Sequence, residues 1–215
     1  MAEVGEDAGN SASVVLPVAE TDELGRYLED TITIDWQTPA VMERAKSLLA
    51  GCEGSEDRVR SLFEFVRDEI DHSIDVPAEK ATCRASEVLS EKTGLSYAKS
   101  HLLSAFLRYA GFPAGFCYVR LSSGNGDGRY SLHGFNAVWW VPAESWIFLD
   151  PRGNKEGVES ECRFEAPWSL AYAPDGEEGE AFLPFIYKRP SKRIIDLLER
   201  APDFATVLRN LPDAI

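Results

Sequence analysis

Three residues, Ser96, His133 and Asp150, combine types and positions that could carry out nucleophilic chemistry. Serine offers an oxygen nucleophile and histidine a base that titrates near neutrality. Aspartate can fix the imidazole tautomer and stabilise the ring once it takes a proton. Ser96 follows Gly94 at the start of an apolar helical run, where unpaired backbone N–H groups and the helix dipole favour developing negative charge. Taken alone, a serine at a helix start is most often simply a cap. His133 and Asp150 bound two strand-like runs, His133 to Val141 and Trp146 to Asp150, which meet around Pro142 as a hairpin. A turn centred at Val141 and Pro142 sets 133 opposite 150, 135 opposite 148 and 137 opposite 146. His133 and Asp150 are then cross-strand neighbours, with Cβ atoms roughly 4.5–5.5 Å apart. A slip of one residue would send them to opposite faces, and Asp150 before Pro151 also fits a turn. Cys83, near another expected helix start, is the alternative nucleophile, set against the commoner reading of an inert buried thiol.

The elements that must position these residues follow from hydrophobic period. Pro39 suits a first helical position, and Val41, Ala45, Leu48 and Leu49 recur at helical spacing before Gly51. Asp57 to Ile70 carries Val59, Leu62, Phe63 and Val66 on one face. A short capped helix is expected over Thr82 to Lys92. Ser96 to Ala110 is apolar over most of its circumference, which marks a central helix, and it stops at Gly111 and Pro113. The period then falls to two: Phe116, Tyr118 and Arg120 alternate with Cys117, Val119 and Leu121, and a Gly/Ser/Asp connection follows. Short helical patterns close the chain near Ile194 to Leu198 and Phe204 to Leu208. Helices first and strands afterwards imply α+β, with helices packed on an antiparallel sheet. Residues 1–20, small and acidic, read as a flexible tail before a single domain over 21–215.

Aromatic residues crowd the same segments. Phe116, Trp139, Trp140 and Trp168 are expected to wall an apolar substrate pocket; the competing reading is that they fill the helix-to-sheet interface. Alternation places Trp139 on the face of His133 and Trp140 on the other. The charge balance of 22 basic against 36 acidic residues leaves −14, a surface that repels phosphate backbones and anionic lipid, so neither nucleic acid nor membrane is an expected partner. The one basic cluster, Lys188, Arg189, Lys192 and Arg193, reads as a solvated helix start. Four cysteines without a C-x-x-C pair and three histidines imply no metal site and no cofactor. The first residues lack the cationic start and apolar run of a secretory signal, so the expected location is the cytoplasm, with reduced cysteines.

Three stretches carry a family resemblance. KTGLSYAKSHLLSAFLRYAGFPAGF (92–116) resembles the nucleophile segment of transglutaminase-like proteins, LHGFNAVWWV their histidine strand, and WIFLDPRGN their aspartate strand. Three motifs in order, covering most of 57–157, make the match specific. The resemblance implies a papain-like fold and a Cys-His-Asp triad in which His133 is the general base and Asp150 its orienting partner. The family's cysteine aligns with Ser96. Because a site shaped for a thiolate seldom works with oxygen, a Cys→Ser substitution made to trap a complex fits best. A natural serine enzyme and a non-catalytic binding module are the alternatives. Within the family, a small stand-alone triad enzyme with an aromatic-rich site is similar to the Dieckmann cyclases of polyketide–peptide biosynthesis. These take an acyl thioester, presented by a carrier-protein domain, and close a tetramate ring. An intracellular peptidase or amidase is the other enzyme the family offers.

Overall fold

The computed structural model describes residues 15–123, 126–176 and 179–215. Helix α1 (Pro39–Leu49) begins at its proline and buries Val41 and Ala45; α2 (Ser55–Glu69) buries Val59, Leu62, Phe63 and Val66 along one stripe. Helix α3 (Ala85–Glu91) is shorter than the Thr82 to Lys92 expectation. The Glu87 carboxylate accepts the Cys83 N–H at 2.8 Å, and the Thr82 hydroxyl donates to the Thr93 carbonyl at 2.8 Å, so residues 82–84 are bonded outside a helix.

Helix α4 (Ser96–Tyr109) is central, and every residue from Ser96 to Arg108 is buried. A helix apolar on most sides is stable only when wrapped on most sides, and α1, α2, α3 and the sheet surround it. Its far end is anchored by Arg108, which donates to the carbonyls of Ala114, Glu29 and Lys188; burial pushes the guanidinium down to about 10.

The main sheet is antiparallel, with β4 (Ala114–Ser122), β5 (Tyr130–Trp140), β6 (Ser145–Leu149) and β7 (Ala181–Phe182) in the order β6-β5-β4-β7. One face, including Phe116, Tyr118, Leu132, Val138 and Trp140, packs on the helices. Cys117, Val119, Phe135, Ala137 and Phe148 face a second, smaller core completed by Tyr27 and Ile186. Two pairs of two-residue strands are parallel: β1 (Val18–Ala19) with β8 (Phe185–Ile186), and β2 (Asp71–His72) with β3 (Thr93–Gly94). Helices α5 (Lys192–Arg200) and α6 (Phe204–Arg209) complete the chain.

Two expectations need correction. In the β5–β6 hairpin, 137 pairs with 148 and 139 with 146, a register two residues from the expected one, because the turn takes Val141–Ala143 and Glu144 in left-handed conformation. Asp150 therefore lies just past the end of β6 and not directly opposite His133. An even slip preserves face, so both residues remain on one side of the sheet. Of the tail expected over 1–20, residues 1–14 lie outside the described residues, and the rest is not free: Val18–Ala19 is paired with Phe185–Ile186, and Glu20 binds Lys188 at 2.6 Å. Backbone pairing and an ion pair fix a segment whose composition alone gives it no core. Of the basic cluster, Lys188, Arg189 and Lys192 bind Glu20, Glu29 and Asp196. Among the described residues, no helix is long and apolar enough to cross a membrane.

Candidate active site

The site is built where the start of α4 meets β5. Lys99 N–H is the first in α4 to find a helical acceptor, Leu95 O, so the N–H groups of Ser96, Tyr97 and Ala98 have none within the helix. The helix start approaches β5 closely because residue 134 is glycine: a Cβ there would stand 2.8 Å from Tyr97 Cδ1. The Tyr97 hydroxyl donates to Leu132 O, and Gly134 N–H donates to Ser96 Oγ at 3.3 Å. Further along, Asn136 donates to Ser100 O, Ser104 Oγ and Gly115 O, locking helix and strand in register. Ser96 is thus held beside the residue that follows His133.

His133 Nε2 donates to Asp150 Oδ2 at 2.8 Å, since a carboxylate only accepts. That places the ring proton on Nε2 and leaves the Nδ1 lone pair available. Asp150 is fully buried, and the other partners of its carboxylate are backbone donors: Arg152 N–H to Oδ1 at 3.1 Å and Ala171 N–H to Oδ2 at 2.9 Å. The same Ala171 contact fixes Tyr172, whose ring stands edge-on to the imidazole with centroids 5.0 Å apart. Ser96 and His133 line a cavity of about 440 Å³ with His72, Leu95, Arg152 and Tyr172.

Below the cavity, charge is tightly managed. Arg152 grips Asp75 through Nη1 at 2.5 Å and Nη2 at 3.2 Å, and Lys155 adds a bond at 2.7 Å. Burial would raise the Asp75 carboxyl, but these hydrogen bonds outweigh it and hold it at about 2. Lys99, one turn along α4 from Ser96, is fully buried and donates to the carbonyls of Ile70 and Arg67 at the end of α2. Burial, then the Arg152 charge, push it down to about 7, against the pull of Asp150, Asp71 and Asp68. An unfolded lysine keeps its proton to about 10.5, so between these values the unfolded chain binds the extra proton and stability rises with pH. In Lys99→Met this contribution is absent. The stability of the parent relative to Lys99→Met, from urea unfolding, should therefore grow from pH 7 to pH 10 by up to about 1.4 kcal/mol per unit. A difference independent of pH would show that Lys99 stays protonated when folded.

The four expected wall residues are not at this cavity. Phe116 is buried in the main core, edge-on to His101. Trp140 faces the helices and packs on Phe164; Trp168 packs on Phe148. Trp139 does share the face of His133, but it packs on Trp146, and six residues at about 3.3 Å each put it roughly 20 Å along the strand. Cys83 is buried outside this cavity, and burial pushes its thiol up to about 12, which leaves it protonated and unreactive. His72, Arg152 and Tyr172 were not singled out from the sequence. Only Arg152 carried a signal, two residues after Asp150 in the DPRGN run.

Comparison with known proteins bears on this arrangement. Residues 43–151, just over half of the chain, match the family model of the transglutaminase-like superfamily. Among curated proteins no relative matches. Similar solved structures include a candidate cysteine protease from Cytophaga hutchinsonii (14% identity, TM-score 0.48, covering 64% of this chain and 45% of that one). Another is the periplasmic domain of TgpA from Pseudomonas aeruginosa bound to ethylmercury (20% identity, TM-score 0.45, 60% and 48%). A third is red sea bream transglutaminase (14% identity, TM-score 0.36, 61% and 26%). The chain thus spans less than half the length of each. The matched segment runs from α1 through the central helix and the hairpin to Pro151, and on that match the chain belongs to the transglutaminase-like superfamily.

Proposed function

We propose that this protein transfers or hydrolyses the acyl group of a small amide or thioester, with Ser96 at the nucleophile position, His133 as general base and Asp150 orienting it. The observation that carries the reading is the juxtaposition of Ser96 Oγ, 3.3 Å from Gly134 N, with a histidine whose Nε2 is committed to a buried aspartate. As Ser96 Oγ bonds to the carbonyl carbon, its proton passes to His133 Nδ1 and the carbonyl π pair moves to oxygen. Free N–H groups at the start of α4 are placed to hold that charge. Collapse breaks the bond to the amine or thiol, which leaves with the proton from His133. Water or an amine then resolves the acyl-enzyme by the reverse sequence.

The cavity favours the amidase or peptidase branch over ring closure on a long acyl chain. A wall of Phe116, Trp139, Trp140 and Trp168 would favour a Dieckmann cyclase, whereas this cavity is lined by Ser122, Ser123 and Ser131, with Tyr97 and Tyr172 its aromatic residues. The test is covalent trapping. Incubation with acetyl-N-acetylcysteamine and rapid quenching should yield an acetyl adduct mapping by mass spectrometry to the peptide that contains Ser96, absent from Ser96→Ala. Acylation elsewhere, or equal labelling of both proteins, would refute the assignment.

A further inference from the structure

We infer that His72 supplies a side-chain donor to the oxyanion formed at Ser96. This rests on the acyl-transfer reading above and extends it to a residue outside the Ser96–His133–Asp150 set. Strand β2 pairs with β3 so that His72 lies opposite Gly94, two residues before Ser96, and His72 lines the same cavity as Ser96 and His133. The backbone bond from Ser73 N–H to Gly94 O, 3.1 Å, fixes that register. The ring is nearly buried, 8% exposed, and its Nδ1 accepts the Ile74 N–H at 3.4 Å. A nitrogen that accepts carries no proton, so in the neutral ring the proton is on Nε2. Among the described residues Nε2 has no hydrogen-bond partner, and it is not sealed from solvent. It is a donor with an empty direction, in a cavity whose chemistry needs donors.

The electrostatics make this ring a donor and not a second base. Burial first, then the positive charges of Arg152 and Lys99, and His133, push the imidazole down to about 3, while Asp75, 4.0 Å from Nδ1, acts in the opposite direction. Asp75 is itself engaged by Arg152 and Lys155. A ring that resists protonation so strongly abstracts a proton poorly, yet its N–H still hydrogen-bonds a forming oxyanion. During attack the carbonyl π pair moves onto oxygen, the Ser96 proton goes to His133, and His72 keeps its own.

Two amides separate the ring's two nitrogens. Asparagine reproduces the position of Nδ1, and glutamine places an N–H donor near the reach of Nε2. In the Ser96→Cys background, His72→Asn should lower kcat for acetyl-N-acetylcysteamine by about 10²-fold with little change in KM, and His72→Gln should recover at least tenfold of this. The same order should hold for binding of carbon-13-labelled propanal, titrated to saturation, whose hemithioacetal is a stable mimic of the tetrahedral species and is resolved by NMR. Equal losses in both variants would mean that His72 only supports the fold, and no loss in either would remove it from the site; both overturn the inference alone. If Ser96→Cys forms no hemithioacetal, the acyl-transfer reading falls and this inference with it.

Discussion

Asp150→Asn, made in the Ser96→Cys protein, should lower kcat by about 10³–10⁴-fold and leave KM nearly unchanged, on the scale of aspartate replacement in Ser-His-Asp triads. All three partners of the Asp150 carboxylate are donors: His133 Nε2–H, Arg152 N–H and Ala171 N–H. An amide has one accepting atom where the carboxylate has two, so one of its N–H groups must point at a donor. If it points at His133, the ring has to take the other tautomer, and the lone pair turns from Ser96 toward Asn. If it points at Arg152, a buried N–H is orphaned at a cost of about 1–3 kcal/mol, and the imidazolium loses its counter-charge. In the first orientation the proposed base is lost and in the second it is weakened, while the cavity is kept. Steady-state kinetics with acetyl-N-acetylcysteamine, alongside a thermal melt to exclude unfolding, measure it. A kcat within tenfold of the parent would show that His133 needs no orienting partner.

Ser96→Cys should raise turnover of the same thioester by at least ~10²-fold, a barrier change of about 2.7 kcal/mol. The site offers a lone pair on His133 and free N–H groups at a helix start, features that favour a thiolate. A thiol of ordinary pKa near 8.5 can be ionised by them, and a hydroxyl cannot. The substitution adds little volume beside Gly134 N–H, the neighbour that Ser96 Oγ already contacts. Equal rates in the two proteins would mean that oxygen serves at position 96 as well as sulfur, or that position 96 takes no part.

Hydrophobic period alone is enough to locate the long elements of this protein and to assign their faces. The period of 3.6 over Val59, Leu62, Phe63 and Val66, the all-round apolarity of Ser96 to Ala110, and the alternation from Phe116 to Leu121 are local properties, and each element appears where they place it. Parity is equally local, which is why His133 and Asp150 share a face although the hairpin register differs from the expected one by two residues. What lies within reach of what is set instead by the packing of segments distant in the chain. Trp139 has the face expected of a wall residue and the wrong height along the strand. His72 enters the site through a strand of two residues paired with Thr93–Gly94, a signal too short for any periodicity. Arg152 is committed to Asp75, 77 positions away in the chain, and Val18–Ala19 is ordered by Phe185–Ile186. Such contacts depend on how turns set register and how helices stack. These are relations between distant segments, and nothing in the pattern of either segment alone encodes them.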